Sequence, residues 1–171
     1  DGAGKSFLCK QICEKFNLPM GDRAEKDRDK IYQTTRRDTA NAFHAEMLCT
    51  GPSQVWDRLG PWSDPIYSRY AIPHRDCAFT MAEINSYYYI ARRLGFVILC
   101  LPPLHVVRDN IEDTHQLKGV HENIDAIYGE YQLLRGLRYD YTREDALDWV
   151  LQRVVDYLDD RVERRARATG S

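Results

Sequence analysis

The sequence predicts an α/β protein in which helices cover a parallel sheet. "FVILCLPP", from Phe96, is a continuous apolar run halted by two prolines, the pattern of a strand buried on both faces. Segments with helical periodicity stand on either side of it. The chain also opens "DGAGKSFLCK", a glycine-rich turn that runs straight into a helical pattern. At 171 residues, 43% of them hydrophobic, the chain is expected to form a single domain over 1–171 with one sizeable core.

Each element follows from its own signal. Phe7, Leu8, Ile12 and Phe16 recur at helical spacing, and "NLP" ends that helix because Pro19 disfavours helix in the residue before it. The charged stretch "GDRAEKDRDK" is a solvated connection. Ala40, Phe43, Ala45, Met47 and Leu48 predict a helix over 38–48, capped by Asp38 or Thr39 and stopped by "TGP". "SQVWDR" then reads as a short apolar strand ending in charge. "FTMAEINSYYYIARRL" predicts a helix over 79–94 closed by Gly95, directly before the strand "FVILCL". A short helix from Leu104, the polar break "EDTHQLKG", a helix over 120–134 and a short strand in "LRYDYT" come next. The last helix, over 143–162, places Leu147, Val150, Leu151, Val154 and Leu158 on one face before a frayed tail "ERRARATGS".

A sheet built from "VWD", "FVILCL" and "RYDYT" lacks its centre. One more apolar strand is expected ahead of Asp1, in about ten residues by usual strand lengths. The first glycine of the signature G-x-x-x-x-G-K-S/T would lie in the same place.

Charge and composition narrow the function classes. A net charge of −2 provides no overall basic field to hold the chain on nucleic acid or an anionic membrane. Cys9, Cys13, Cys49, Cys77 and Cys100 are odd in number and lack C-x-x-C spacing, which predicts thiols in a reducing cytoplasm rather than disulfides or a zinc site. No apolar run approaches the ~20 residues of a membrane span, and no signal peptide is visible.

The opening glycines carry the first chemistry. Gly2 and Gly4, with Ala3 between them, allow successive N–H groups to turn inward around phosphate oxygens at the positive end of the following helix. Lys5 can reach the β and γ phosphates of a nucleotide and the Ser6 hydroxyl can ligate Mg²⁺. "VWDRLGPWSDPIYSRY" is a second constellation, at a strand's C-terminal end, where parallel sheets border their ligand crevice. There Asp57 can hold Mg²⁺ or accept a proton, and Arg58 can grip a phosphate with two parallel hydrogen bonds. Arg108 begins a polar segment over 108–119, including His115 and Lys118, that could close over a triphosphate. Trp62, Asp64, Tyr67 and the run Tyr87, Tyr88 and Tyr89 are candidates for a ring-binding pocket. Consecutive helical residues point in different directions, so at most one or two of those three tyrosines can face one pocket.

Taken with "QLKGVHENIDAIYGEY", the motifs "DGAGKS" and "DRLGPWSDPIYSRY" resemble the thymidylate kinase-like branch of the P-loop nucleoside and nucleotide kinases, especially the small bacteriophage-encoded versions. The resemblance covers most of the chain, from Asp1 to about Val162. It implies a three-layer fold, ATP and Mg²⁺ as donor and cofactor, and phosphoryl transfer to a deoxynucleoside monophosphate, a pyrimidine such as dTMP or a modified dUMP. By resemblance, Arg58 binds the acceptor phosphate, Asp57 sits near the metal or the acceptor oxygen, and Arg108 is the lid arginine. "YDYTRED", with Tyr141, packs beside adenine near Phe7, and Arg36 and Arg37 match an arginine that contacts the acceptor. A homodimer through the 79–94 helix is also implied.

This sequence departs from the family's pattern after Asp57-Arg58, where Leu59 replaces the usual Tyr or His. Three alternatives therefore stay open at this point. A deoxynucleoside kinase would use Asp57 as general base, and a kinase of hydroxymethyl pyrimidines could act on DNA. A non-catalytic nucleotide-binding module would show no acceptor-dependent turnover. Absence of an N-K-x-D sequence argues against a guanine-specific switch.

Overall fold

The computed structural model describes residues 3–21, 54–57, 60–71, 76–77, 79–112 and 118–170. The expected helix over 38–48, most of the charged connection, Cys49, His115, and the candidate site residues Gly2, Arg36, Arg37 and Arg58 lie outside the described residues. In chain order the described elements are α1 (Lys5–Phe16), α2 (Gly60–Tyr70), α3 (Met81–Leu94), β1 (Ile98–Cys100), α4 (Leu104–Glu112), α5 (Lys118–Glu122), α6 (Ile124–Leu133), β2 (Leu137–Tyr139) and α7 (Ala146–Thr169).

The predicted strands "FVILCL" and "LRYDYT" meet as a parallel pair, Ile98 beside Leu137, Leu99 beside Arg138 and Cys100 beside Tyr139. The chain is thus a mixed helix and strand protein with a small parallel sheet. "SQVWDR" does not form a strand of its own among the described residues. It contributes one parallel bridge, Val55 to Met20, in which Val55 N–H donates to Pro19 O at 3.0 Å and Gly21 N–H to Val55 O at 2.8 Å. Gly21 has no Cβ because the Trp56 ring lies in its place: an added carbon would come within 2.7 Å of that ring.

Among the described residues two larger apolar clusters lie among the helices and strands, beside a small one of Phe79 and Tyr87. α1 and α7 supply Leu8, Ile12, Val150, Leu151 and Val154 to the first, which also packs on Ile98, Cys100 and Tyr139. α2, α4, α5 and α6 build the second from Ile66, Val107, Ile111, Val120 and Ile127. The period of two along β1 turns Ile98 and Cys100 toward the first cluster and the buried Leu99 to the opposite face.

Several boundaries differ from expectation for identifiable reasons. α3 begins at Met81 because Thr80 caps it. The Thr80 hydroxyl accepts from Glu83 N–H at 3.3 Å while the Glu83 carboxylate accepts from Thr80 N–H at 2.8 Å. The expected helix over 120–134 is two helices. Asn123 breaks it by donating from Nδ2 to Tyr70 O at 3.0 Å and Gly119 O at 3.1 Å, which ties the break to the end of α2. Gly119 lets α5 approach so closely that a Cβ there would sit 2.1 Å from Ala71 O. The tail expected to fray continues α7 to Thr169, with Arg164 paired to Asp160 at 2.8 Å and Arg167 to Glu163 at 3.0 Å, each one turn apart.

Candidate functional site

The site grows from the start of α1. Gly4 caps this helix with φ +72°, a left-handed conformation that costs a residue with a Cβ but not glycine. A Cβ at Gly4 would also lie 2.8 Å from the Tyr141 ring, so the loop is pressed directly against the turn that follows β2. From here the N-terminal end of α1 places the positive end of its dipole at the loop, the arrangement that suits an anion.

Ser6 and Asp57, 51 positions apart, meet at this end: Ser6 Oγ donates to Asp57 Oδ2 at 2.6 Å. Asp57 is buried, 7% exposed, and follows the Val55 bridge directly. Lys5 belongs to the same neighbourhood. Burial pushes the Cys100 thiol, at the C-terminal end of β1, up to about 11, and the positive charge of Lys5 opposes that rise. The C-terminal end of β1, the end of the bridged segment and the start of α1 therefore converge, as parallel sheet geometry requires of a ligand crevice.

Beside the loop is a cleft of about 370 Å³, lined by Gly4, Phe7, Tyr139, Tyr141, Arg143 and Leu147 among others. Phe7 is 54% exposed, and the Tyr141 hydroxyl accepts from Asn110 Nδ2 at 2.6 Å. "YDYTRED" thus stands against the glycine loop. Arg143 joins this cleft without having been singled out from the sequence, since a lone arginine in a polar turn carries no signal.

On the other side of Asp57, α2 turns Trp62, Ser63 and Tyr67 toward a larger cavity that Lys5 and Asp57 also line. Asp64, on the same helix, does not line it. Trp62 is 5% exposed, its ring against Tyr88 at 4.5 Å between centroids, and its buried indole N–H has no hydrogen-bond partner among the described residues.

Besides Asp64, two predicted site residues are placed elsewhere. Tyr87 is 1% exposed and packs edge-on to Phe79 at 5.7 Å, so it is a core residue and not a pocket wall. Tyr88 meets Trp62 and Tyr89 accepts from Arg93 at the surface, so the three tyrosines point in three directions, as helical spacing demands. Arg108 lines neither cavity. Its guanidinium straddles both carboxylate oxygens of Asp125 at 2.5 Å, holding α4 to α6 on an exposed face.

Among the described residues no group of three or more His, Cys, Asp and Glu could hold a metal. Ser6 with Asp57 instead offers two protein oxygens, which suits Mg²⁺, an ion that retains waters and takes its remaining ligands from phosphates. Cys9, Cys13, Cys77 and Cys100 are free thiols, and no helix among the described residues is long and apolar enough to cross a membrane.

No family model, no curated protein and no solved structure matches this chain.

Proposed function

We propose that this protein is a P-loop phosphotransferase that carries the γ-phosphoryl group of ATP to a deoxynucleoside monophosphate, a pyrimidine such as dTMP or a modified dUMP. The observation that carries the reading is the 2.6 Å contact between Ser6, on the first turn after a left-handed glycine, and the buried Asp57 at the end of a bridged segment. A glycine-rich turn before a helix is common. A hydroxyl of that helix held on a buried carboxylate from 51 positions away has the makings of a metal-phosphate site.

The roles follow from position. Loop amides and Lys5 hold the donor phosphates, and Tyr141 with Phe7 flanks the base in the adjoining cleft. Ser6 and Asp57 would hold Mg²⁺, which neutralises charge on the β and γ phosphate oxygens when bound. Trp62, Ser63 and Tyr67 shape the acceptor side, and by the family resemblance alone Arg58 grips the acceptor phosphate. An anionic oxygen of that phosphate attacks the γ phosphorus as the bond to the bridging oxygen breaks, so no proton has to be removed. Asp57 therefore serves the metal and not as a base, and positioning dominates the rate. Arg108, engaged with Asp125, has no part in this set.

An ATP-consumption assay with Mg²⁺, offering nucleoside monophosphates, free deoxynucleosides and hydroxymethyl-pyrimidine DNA separately, tests the reading. Turnover with one monophosphate is the expected outcome. Turnover only with a nucleoside or DNA moves Asp57 to the role of general base. Silence with every acceptor despite tight ATP binding leaves a nucleotide-binding module.

A further inference from the structure

Arg108 ties α4 to α6, and the same helix reaches the glycine loop from its other side. Residues two apart on a helix point in nearly opposite directions. Arg108 accordingly meets Asp125, while Asn110 meets the turn after β2, where its Nδ2 donates to the Tyr141 hydroxyl at 2.6 Å. Val107 and Ile111, both buried, fasten the face between them to the second apolar cluster. α4 is thus held on three sides, and Asn110 is its link to the loop.

The backbone that carries Tyr141 is already fixed by its own neighbours. The Asp140 carboxylate accepts from Thr142 N–H at 3.0 Å and from the Thr142 hydroxyl at 2.6 Å, and Arg143 N–H donates to Asp140 O at 3.3 Å. What is left to set is the rotation of the ring about its two side-chain torsions. Gly4 limits that rotation from one side, since a Cβ there would lie 2.8 Å from Tyr141 Cδ1 and 3.1 Å from Cε1. Asn110 limits it at the far end of the ring, by the hydroxyl. Released at that end, the ring can turn away from Gly4 into the cleft of about 370 Å³ that it lines with Phe7. There it would occupy the room a nucleotide base takes.

We propose that Asn110 is a positioning residue for the donor nucleotide, acting through Tyr141: it pins the hydroxyl so that the ring stays against Gly4 and the cleft stays open to the base. Asn110 does not itself line that cleft. α4 therefore serves the site through Asn110 and not through Arg108. The inference rests on the phosphotransferase reading for the identity of the ligand, and its test separates the two.

That test is Mg²⁺-ATP binding without acceptor, by isothermal titration calorimetry, to the wild type, Asn110→Ala, Tyr141→Phe and the double variant, with steady-state rates alongside. Tyr141→Phe keeps the ring and removes the accepting oxygen. Each single substitution should weaken ATP binding by about 3–10-fold, the reach of one neutral hydrogen bond, and the double variant should bind no more weakly than either single one. In Asn110→Ala, kcat at saturating ATP and the KM of the acceptor should stay within about a factor of two, a split that a general loss of structure does not produce. Unchanged ATP binding in Asn110→Ala overturns the proposal and leaves the kinase reading intact. Additive losses in the double variant overturn it too, since Asn110 then acts on something other than Tyr141. If Asn110→Ala does not fold, Tyr141→Phe decides: unchanged affinity overturns the proposal, and the 3–10-fold loss supports it. The expected losses of binding without transfer to any acceptor overturn the phosphotransferase reading and leave the role of Asn110 standing. A wild type that binds no ATP overturns both.

Discussion

The glycine-loop junction and the α4–α6 junction each hang on a short polar contact, 2.6 Å for Ser6 to Asp57 and 2.5 Å for Arg108 to Asp125. Their surroundings separate them. Asp57 is 7% exposed, while the side chains of Arg108 and Asp125 are 49% and 63% exposed. Water screens the second pair, and exposed pairs of this kind contribute about 0–1 kcal/mol. The buried carboxylate is costly to place unless something compensates it, so its position demands a reason, which the arginine's does not. Distance alone ranks these contacts equally; burial and convergence with the loop single out the first.

That contrast can be broken or sharpened by substitution. Lys5→Met should reduce turnover by at least ~10²–10³-fold, the usual cost of losing one charge-stabilising donor, with an unchanged circular dichroism spectrum. Undiminished turnover in that folded variant removes the donor assignment. Asp57→Asn keeps the shape and removes the charge, and should raise the Mg²⁺ concentration for half-maximal rate by about 10–100-fold, as losses around a metal site do. A Mg²⁺ titration that superimposes on the wild type would take the metal away from Asp57.

Gly4→Ala forces a Cβ into a left-handed position and toward the Tyr141 ring, so stability should fall by about 1–3 kcal/mol, read by urea denaturation. ATP affinity should fall with it. Cys100 supplies a pH test of the same end of the sheet. Burial raises its folded pKa to about 11 from 9.0, so the neutral thiol favours the folded state fully below pH 9 and that contribution is lost between about pH 9 and 11. Unfolding free energies measured across that window should decline, and Cys100→Val should flatten the decline by ~2 kcal/mol, given 1.36 kcal/mol per pKa unit. Tyr139, also raised chiefly by burial, contributes in the same direction, and Tyr139→Phe isolates its share. Smallest of all, Arg108→Ala should change stability by no more than ~1 kcal/mol and leave kcat within a factor of three. A large loss of kcat would return Arg108 to the transfer step and reverse the ranking of the two junctions.

The elements most legible in the sequence were those whose signal is local. "FVILCL" announces a buried strand by its unbroken apolar run, and α7 shows its core face at 3.6-residue spacing because that face packs on one layer. "DGAGKS" announces a tight turn into a helix because Gly4 takes a left-handed backbone that glycine adopts without cost. Long-range features were less legible. Tyr87 and Tyr88 are identical letters side by side, yet one is core and the other meets Trp62, a choice made by α2 and Phe79. Asn123 splits a continuous helical pattern because Tyr70 O, 53 positions away, accepts its amide hydrogen.

By itself, then, the sequence determined the class, the parallel pair, the glycine turn into α1 and the choice of Ser6 and Asp57 as candidates, since periodicity and backbone permissiveness are properties of neighbouring residues. Only the tertiary structure decided that Ser6 reaches Asp57, that Tyr141 closes on Gly4 and that Arg108 is bound to Asp125. Those depend on which surfaces pack together, and packing is settled between residues far apart in the chain.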